Sequence, residues 1–247
     1  MVVGAAARRR GVEFHSIGAP YNPRLVRILP RPIMKKVLSL VFALAAAVLA
    51  PAAHAQDATA GHNKAAMCVG CHGIPRYQAS FPEIHKVPMI SGQGAKYIVA
   101  ALTAYKKGER KHPTMRAIAA SLTDQDMADL AAFYSSAAAG AVPEAPAAPA
   151  PADVAKLLEK GNCASCHGTN FSKPIDPSYP KIAGQYADYL FVALKAYQIE
   201  KNPQVGRGNP VMMGMAKPFS HAELKALAGY LATLPSELQT VPEPRFR

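Results

Sequence analysis

The sequence predicts an all-α protein built from two tandem modules of one plan, joined by an Ala/Pro-rich linker. Three observations predict it. The chain from about residue 62 onward reads twice, with matching blocks 92 to 97 residues apart. Apolar residues recur at helical spacing, and a capping signal precedes the last helix of each copy. No apolar run has the alternation and length of a useful strand. Half of the 247 residues are apolar and 18% are charged, so the bulk is globular. Aromatics make up 7% and Trp is absent, so a core built from side chains alone would be thin.

The net charge of +12 is concentrated at the front, in Arg8, Arg9, Arg10, Arg24, Arg27, Arg31, Lys35 and Lys36. Met34-Lys35-Lys36 opens an apolar run from Val37 to about Ala50, closed by Ala53-His54-Ala55. A basic start, a short apolar stretch and a small-x-small site read as a secretory signal peptide over 34–55, cleaved after Ala55. The run is shorter than a membrane-spanning helix needs. Residues 1–33 show no periodicity and precede the better start at Met34, so they read as a non-native extension. The alternative is an arginine-rich arm for nucleic acid or membrane. From Gln56 onward, 20 Lys and Arg face 15 Asp and Glu, which gives no warrant for a nucleic-acid partner. Export implies an oxidising compartment, where paired cysteines become disulfides unless something else takes them.

The elements follow in order. Module one spans 56–136, the linker 137–152, and module two 153–240. Cys68-Val-Gly-Cys71-His72-Gly73 matches Cys163-Ala-Ser-Cys166-His167-Gly168. A weak helix around His62–Met67 leads into the first motif. Asp153–Lys160, with Val154, Leu157 and Leu158 on one face, leads into the second. Val87-Pro88-Met-Ile-Ser-Gly92-Gln93 matches Tyr179-Pro180-Lys-Ile-Ala-Gly184-Gln185. A helix over Gly94–Lys107 places Tyr97, Ala101 and Tyr105 four apart, and Tyr189, Leu194 and Tyr197 repeat its pattern; these aromatics read as core. Pro113-Thr-Met115 and Pro210-Val-Met212 read as loops before the last helices. Those helices open on Thr123-Asp-Gln-Asp126 and Ser220-His-Ala-Glu223, with apolar stripes Met127/Leu130/Ala131/Tyr134 and Leu224/Leu227/Ala228/Leu231. Pro235 closes the second. Ala137–Ala152 has neither turn residues nor apolar periodicity and reads as semi-extended.

Cys-x-x-Cys-His attaches c-type haem. Two thiols three apart in a helical turn reach two vinyl groups on one porphyrin edge, and the adjacent imidazole then faces the iron. The porphyrin supplies the apolar bulk that a thin core lacks. A thioredoxin-like redox pair needs a βαβ setting, which is missing. A zinc site would not explain two full copies of the motif, each inside its own repeat, and disulfides would leave both histidines unexplained. Cys68, Cys71, Cys163 and Cys166 are therefore the attachment residues of two haems, with His72 and His167 as axial ligands. Methionine as the opposite ligand makes an electron-transfer haem. Met115 and Met212 occupy equivalent positions in the repeat, with Met213 and Met215 as alternatives in module two. Met127 reads as core, and Met89 aligns with Lys181. His85 and His112 have no counterpart in module two and read as solvated loop residues. The proximal imidazole needs its other ring nitrogen held. A carbonyl near Pro88 and Pro180 suits that role, with a rigid turn as the alternative. Lys106, Lys107, Arg110 and Lys111 form either a docking patch for an acidic partner or a solvated face.

The doubled CxxCH, the YPKIAGQ-type block, the Pro-x-Met segments and the capped C-terminal helix together resemble the cytochrome c4 family, periplasmic dihaem cytochromes c. The resemblance covers Gln56–Leu234. It implies two class I cytochrome c folds with neighbouring haems, ligated by His72 with Met115 and by His167 with Met212. It implies electron transfer from a quinol-oxidising complex or dehydrogenase toward a terminal oxidase, with no catalytic residue and with peripheral membrane association compatible. The same fold also resembles the dihaem subunit of a flavocytochrome c sulfide dehydrogenase. A catalytic dihaem enzyme would need an open iron, or a further cysteine that the chain does not have. Module one departs from the family pattern in VPMISGQ and in an added segment, Phe81–Lys86.

Overall fold

The computed structural model describes residues 56–136 and 148–242. The expected extension at 1–33, the signal peptide at 34–55 and most of the linker lie outside them. The described residues fall within one unit.

Module one holds α1 (Ala58–Lys64), α2 (Ala66–His72), α3 (Ala95–Lys106), α4 (Pro113–Ala120) and α5 (Asp124–Ser136). Module two holds α6 (Ala152–Lys160), α7 (Ala164–His167), α8 (Ala187–Gln198), α9 (Pro210–Ala216) and α10 (His221–Ala232). Two-residue strands β1 (Gln78–Ala79) and β2 (His85–Lys86) pair antiparallel, so the added segment of module one is a small hairpin. The single helix expected at His62–Met67 is two helices that meet at Ala65.

Each module is built around its last helix. α5 packs against α1 and α3, and α10 packs against α6 and α8. The stripe residues Met127, Leu130, Ala131 and Tyr134 are buried together with Val69 and Ile98. Leu224 and Leu227 are buried with Val154 and Phe219, and Ala228 and Leu231 with Phe171 and Leu190. Both helices start in reciprocal caps. The Thr123 amide donates to the Asp126 carboxylate (2.9 Å) while the Asp126 amide donates to Thr123 Oγ1 (3.1 Å). Ser220 and Glu223 form the same box.

The Pro-x-Met segments are not loops. Each begins a helix, with proline at the first helical position and an acceptor just before it. The Met212 amide donates to Asn209 Oδ1 (3.0 Å), and the Met115 amide to His112 Nδ1 (3.5 Å). A fixed proline φ and a side-chain cap at the preceding residue nucleate the turn. Both methionines therefore sit at the third position of a rigid helix.

The α1–α5 contact is the tightest in module one. A Cβ on Gly61 would lie 2.0 Å from the Asp129 carbonyl oxygen, so only glycine permits the approach. Asp129 is 2% exposed yet satisfied by Lys64 Nζ (2.6 Å), Gln125 Nε2 (2.7 Å) and the Asp57 amide (3.1 Å). Hydrogen bonds from the Lys64 ammonium hold the Asp126 and Asp129 carboxyls below the usual carboxylate range.

Gly61→Ala is expected to destabilise the protein by about 3 kcal/mol, since the new methyl meets backbone that cannot retreat; denaturant titration reads it. A carboxyl with a depressed folded pKa contributes stability above its unfolded pKa of about 3.9 and loses it as pH falls through the folded value. The thermal midpoint is thus expected to drop between about pH 5 and about pH 2, and Asp129→Asn to flatten that drop.

Candidate functional site

Both cysteine motifs sit where a short helix ends against the following loop. Cys68 and Cys71 lie on α2 and His72 is its last residue. Cys163 precedes α7, which carries Cys166 and ends on His167. The four thiols are unpaired and partly buried. Burial pushes the Cys68 and Cys163 thiols up. Among the described residues, no three Cys, His, Asp or Glu side chains converge as a metal cluster.

The imidazoles face matched acceptors. His72 Nδ1 lies 2.9 Å from the Pro88 carbonyl oxygen, and His167 Nδ1 lies 3.0 Å from that of Pro180. The carbonyl expected from the sequence is therefore the proline's own. Burial lowers the pKa of both rings, outweighing the opposing effect of the carbonyl bond. Each is a neutral imidazole that donates from Nδ1, which leaves the Nε2 lone pair available. Two thiols and a neutral, pinned imidazole per module are the donor set that a covalently held, axially ligated porphyrin requires.

Backbone geometry holds those carbonyls in place. Gly92 (φ +85°) and Gly184 (φ +68°) adopt left-handed conformations after the prolines. Their amides donate to Tyr134 on α5 and Leu231 on α10, each 2.8 Å away, which ties the loop to the main helix of its module.

The methionines separate by environment. Met115, Met212 and Met213 are partly buried, and Met215 is 45% exposed. Met127 is in the core, with Thr103 Oγ1 3.9 Å from its sulfur. Met89 presents its backbone to module two.

Two histidine readings and one charge reading are corrected. His85 is 5% exposed, not solvated, because β2 folds it against α8: its ring lies 6.3 Å from that of Tyr189 and 6.5 Å from that of His112. His112 is partly buried and caps α4. The four basic residues at and after the end of α3 do not form one face. Arg110 turns inward, Lys106 donates to the Leu122 carbonyl, and Lys111 reaches the Asn202 carbonyl (2.7 Å).

Arg110 belongs to a symmetric cluster between the modules. It donates to Tyr97 (3.0 Å) and lies over the Tyr97 and Tyr105 rings; Arg207 does the same with Tyr189 (3.0 Å) and Tyr197. Arg110 and Arg207 are partners in an antiparallel bridge, flanked by Lys111 N to Gly206 O (2.9 Å) and Gly208 N to Glu109 O (2.7 Å). Neither guanidinium meets a carboxylate among the described residues. Ion pairs Lys86–Asp188 (2.8 Å) and Lys195–Glu83 (2.7 Å) also join the modules.

Gln93 and Gln185 cross the same boundary. Gln185 Oε1 accepts from the Met89 amide (3.0 Å), and its Nε2 donates to the Met89 carbonyl (2.8 Å). Gln93 makes the same pair with Lys181, at 2.9 and 3.0 Å. The sequence placed both glutamines in a repeated block without assigning them a role. A polar residue kept at a repeat offset was the available signal, and the same holds for Arg110 and Arg207.

The model of the cytochrome c family matches residues 58–138 and 151–235. The chain is 32% identical over 219 residues to cytochrome c4 of Stutzerimonas stutzeri, covering 81% of this chain and 100% of that protein. It is 30% identical over 217 residues to a thiosulfate dehydrogenase electron acceptor of Stutzerimonas stutzeri strain A1501, covering 81% and 97%. The crystal structure of reduced recombinant cytochrome c4 from Pseudomonas stutzeri matches with a TM-score of 0.54 at 28% identity, over 73% of this chain and 100% of that one. With two motifs, two matching modules and two pinned imidazoles, the chain belongs to the cytochrome c family as a dihaem electron-transfer cytochrome of the cytochrome c4 type, carrying two covalently bound haem c groups.

Proposed function

We propose that Cys68 and Cys71 hold the first haem with His72 and Met115 as axial ligands, and that Cys163 and Cys166 hold the second with His167 and Met212. The observation that carries this reading is the paired geometry of His72 and His167, each neutral and donating from Nδ1 to a proline carbonyl. Such a bond fixes the ring orientation and leaves Nε2 to face the metal. Met115 and Met212 are favoured because they share a capped helical position after an aligned proline.

The bound group supplies a one-electron couple. The protein residues keep it closed to substrate and hold its ligands still, so that little rearrangement accompanies electron movement. Arg110 and Arg207, which meet no carboxylate among the described residues, place positive charge between the modules that suits the anionic edge of a porphyrin.

The chain then carries single electrons between periplasmic or membrane redox partners, from a quinol-oxidising complex or dehydrogenase toward a terminal oxidase. No described helix is long and apolar enough to cross a membrane. A second reading is an electron-accepting subunit of a periplasmic dehydrogenase; the likeness to a thiosulfate dehydrogenase electron acceptor favours it. Co-purification with a dehydrogenase chain separates the two.

The test is an absorption spectrum of the matured protein, reduced, with and without carbon monoxide. The native spectrum is expected to be unchanged by carbon monoxide, and a response from either haem would overturn the closed-iron reading. Met115→Ala and Met212→Ala are each expected to open one haem to carbon monoxide, while Met213→Ala and Met215→Ala leave both closed.

A further inference from the structure

We propose that each module's glutamine tunes the proximal histidine of the other module through a single shared peptide group. The C=O of Pro88 and the N–H of Met89 belong to one peptide unit. Its oxygen faces His72 Nδ1 at 2.9 Å, and its N–H donates to Gln185 Oε1 at 3.0 Å. In module two, the Pro180–Lys181 peptide faces His167 Nδ1 at 3.0 Å and donates to Gln93 Oε1 at 2.9 Å. The relay runs from a glutamine of one module, through a peptide, to the imidazole of the other, and it occurs in both directions.

The glutamines are built for this. Both are 4% exposed. Each amide is oriented by a second donor to the same oxygen, the Tyr186 amide at 3.1 Å for Gln185 and the Gly94 amide at 3.0 Å for Gln93. Two N–H donors on one atom settle which end of the amide is oxygen. Each Nε2 donates to the next carbonyl, at Met89 O and Lys181 O, so the clamp holds at both ends.

Hydrogen bonds in a chain polarise one another. An acceptor on the peptide N–H draws charge onto its C=O, which strengthens the pull on the imidazole Nδ1–H. A more strongly held Nδ1–H makes Nε2 a better donor to iron and stabilises the ferric state. Removing the glutamine weakens that pull, so the potential of the haem it serves rises. The served haem is the one in the opposite module. Gln93 and Gln185 are thus positioning residues for electron transfer, and module docking enters the potential of each haem. The inference rests on His72 and His167 being the proximal ligands.

The test is a redox titration of the full-length holoprotein followed by NMR, with hyperfine-shifted resonances assigned to each haem through contacts within its own module. Gln185→Met, of similar length and apolar, is expected to raise the potential of the His72 haem and leave the His167 haem near its native value; Gln93→Met is expected to do the reverse. Equal shifts at both haems, a shift only at the haem of the mutated module, or no shift would overturn the relay. Should Gln185→Met fail to dock its modules, Gln185→Glu serves. Protonated at acid pH, it keeps both bonds and should give the native potentials. As a carboxylate it is a stronger acceptor and should lower the His72 haem more than the His167 haem. Equal responses of the two haems across that titration would overturn the relay. Absence of hyperfine-shifted His72 and His167 ring protons in the unaltered protein would overturn the ligand reading and the relay with it; their presence without a module-specific shift overturns the relay alone.

Discussion

A buried imidazole must be neutral, or paired, to be tolerated away from water. Here two imidazoles sit in equivalent places, His167 buried and His72 partly buried, and each has one proline carbonyl to donate to. Much of each module serves that contact. The left-handed glycine after the proline turns the chain toward the main helix, and that helix accepts the glycine amide. The main helix is fixed by its capping box and by the helices on its apolar stripe. Pro88 and Pro180 hold their positions because Tyr134 and Leu231, far along the chain, hold theirs.

The boundary between the modules is polar and symmetric. Arg110 meets Arg207 across an antiparallel bridge, with tyrosines around both guanidiniums. Two cations that approach each other without carboxylates cost free energy, since burial strips their hydration and they repel. Phenolic oxygens and aromatic faces offset part of that cost. The anionic groups of a bound porphyrin would be suitable counter-charges for the remainder. The glutamine clamps give the same boundary a directional character that charge alone lacks, because an amide offers one donor end and one acceptor end.

Module one differs from module two by its hairpin, and the difference falls on the boundary. Glu83 and Lys86 reach Lys195 and Asp188 on α8, and His85 is sealed beneath. In the sequence, Phe81–Lys86 shows only as an added segment, so its histidine read as solvated. Burial of that ring depends on α8, about a hundred residues later, and no local pattern carries such information.

Local chemistry made much of this protein legible. The repeat fixed the number of modules, helical periodicity and capping pairs placed the last helices, and the cysteine motif named the cofactor. The proline carbonyl was found because an imidazole needs a partner and the block recurs. Three further features stayed out of reach: the Met segments as helices, the inward turn of Arg110, and the crossing of Gln93 and Gln185. The first needed the weight of a proline and a cap read together. The other two depend on which surface of one module meets the other. The amino-acid sequence by itself determined what each module contains, since attachment spacing, caps and apolar stripes act within a few turns of chain. Only the tertiary structure decided what the modules do to each other, since Arg207 opposite Arg110 and the peptides held by Gln93 and Gln185 lie roughly a hundred residues away and are chosen by packing.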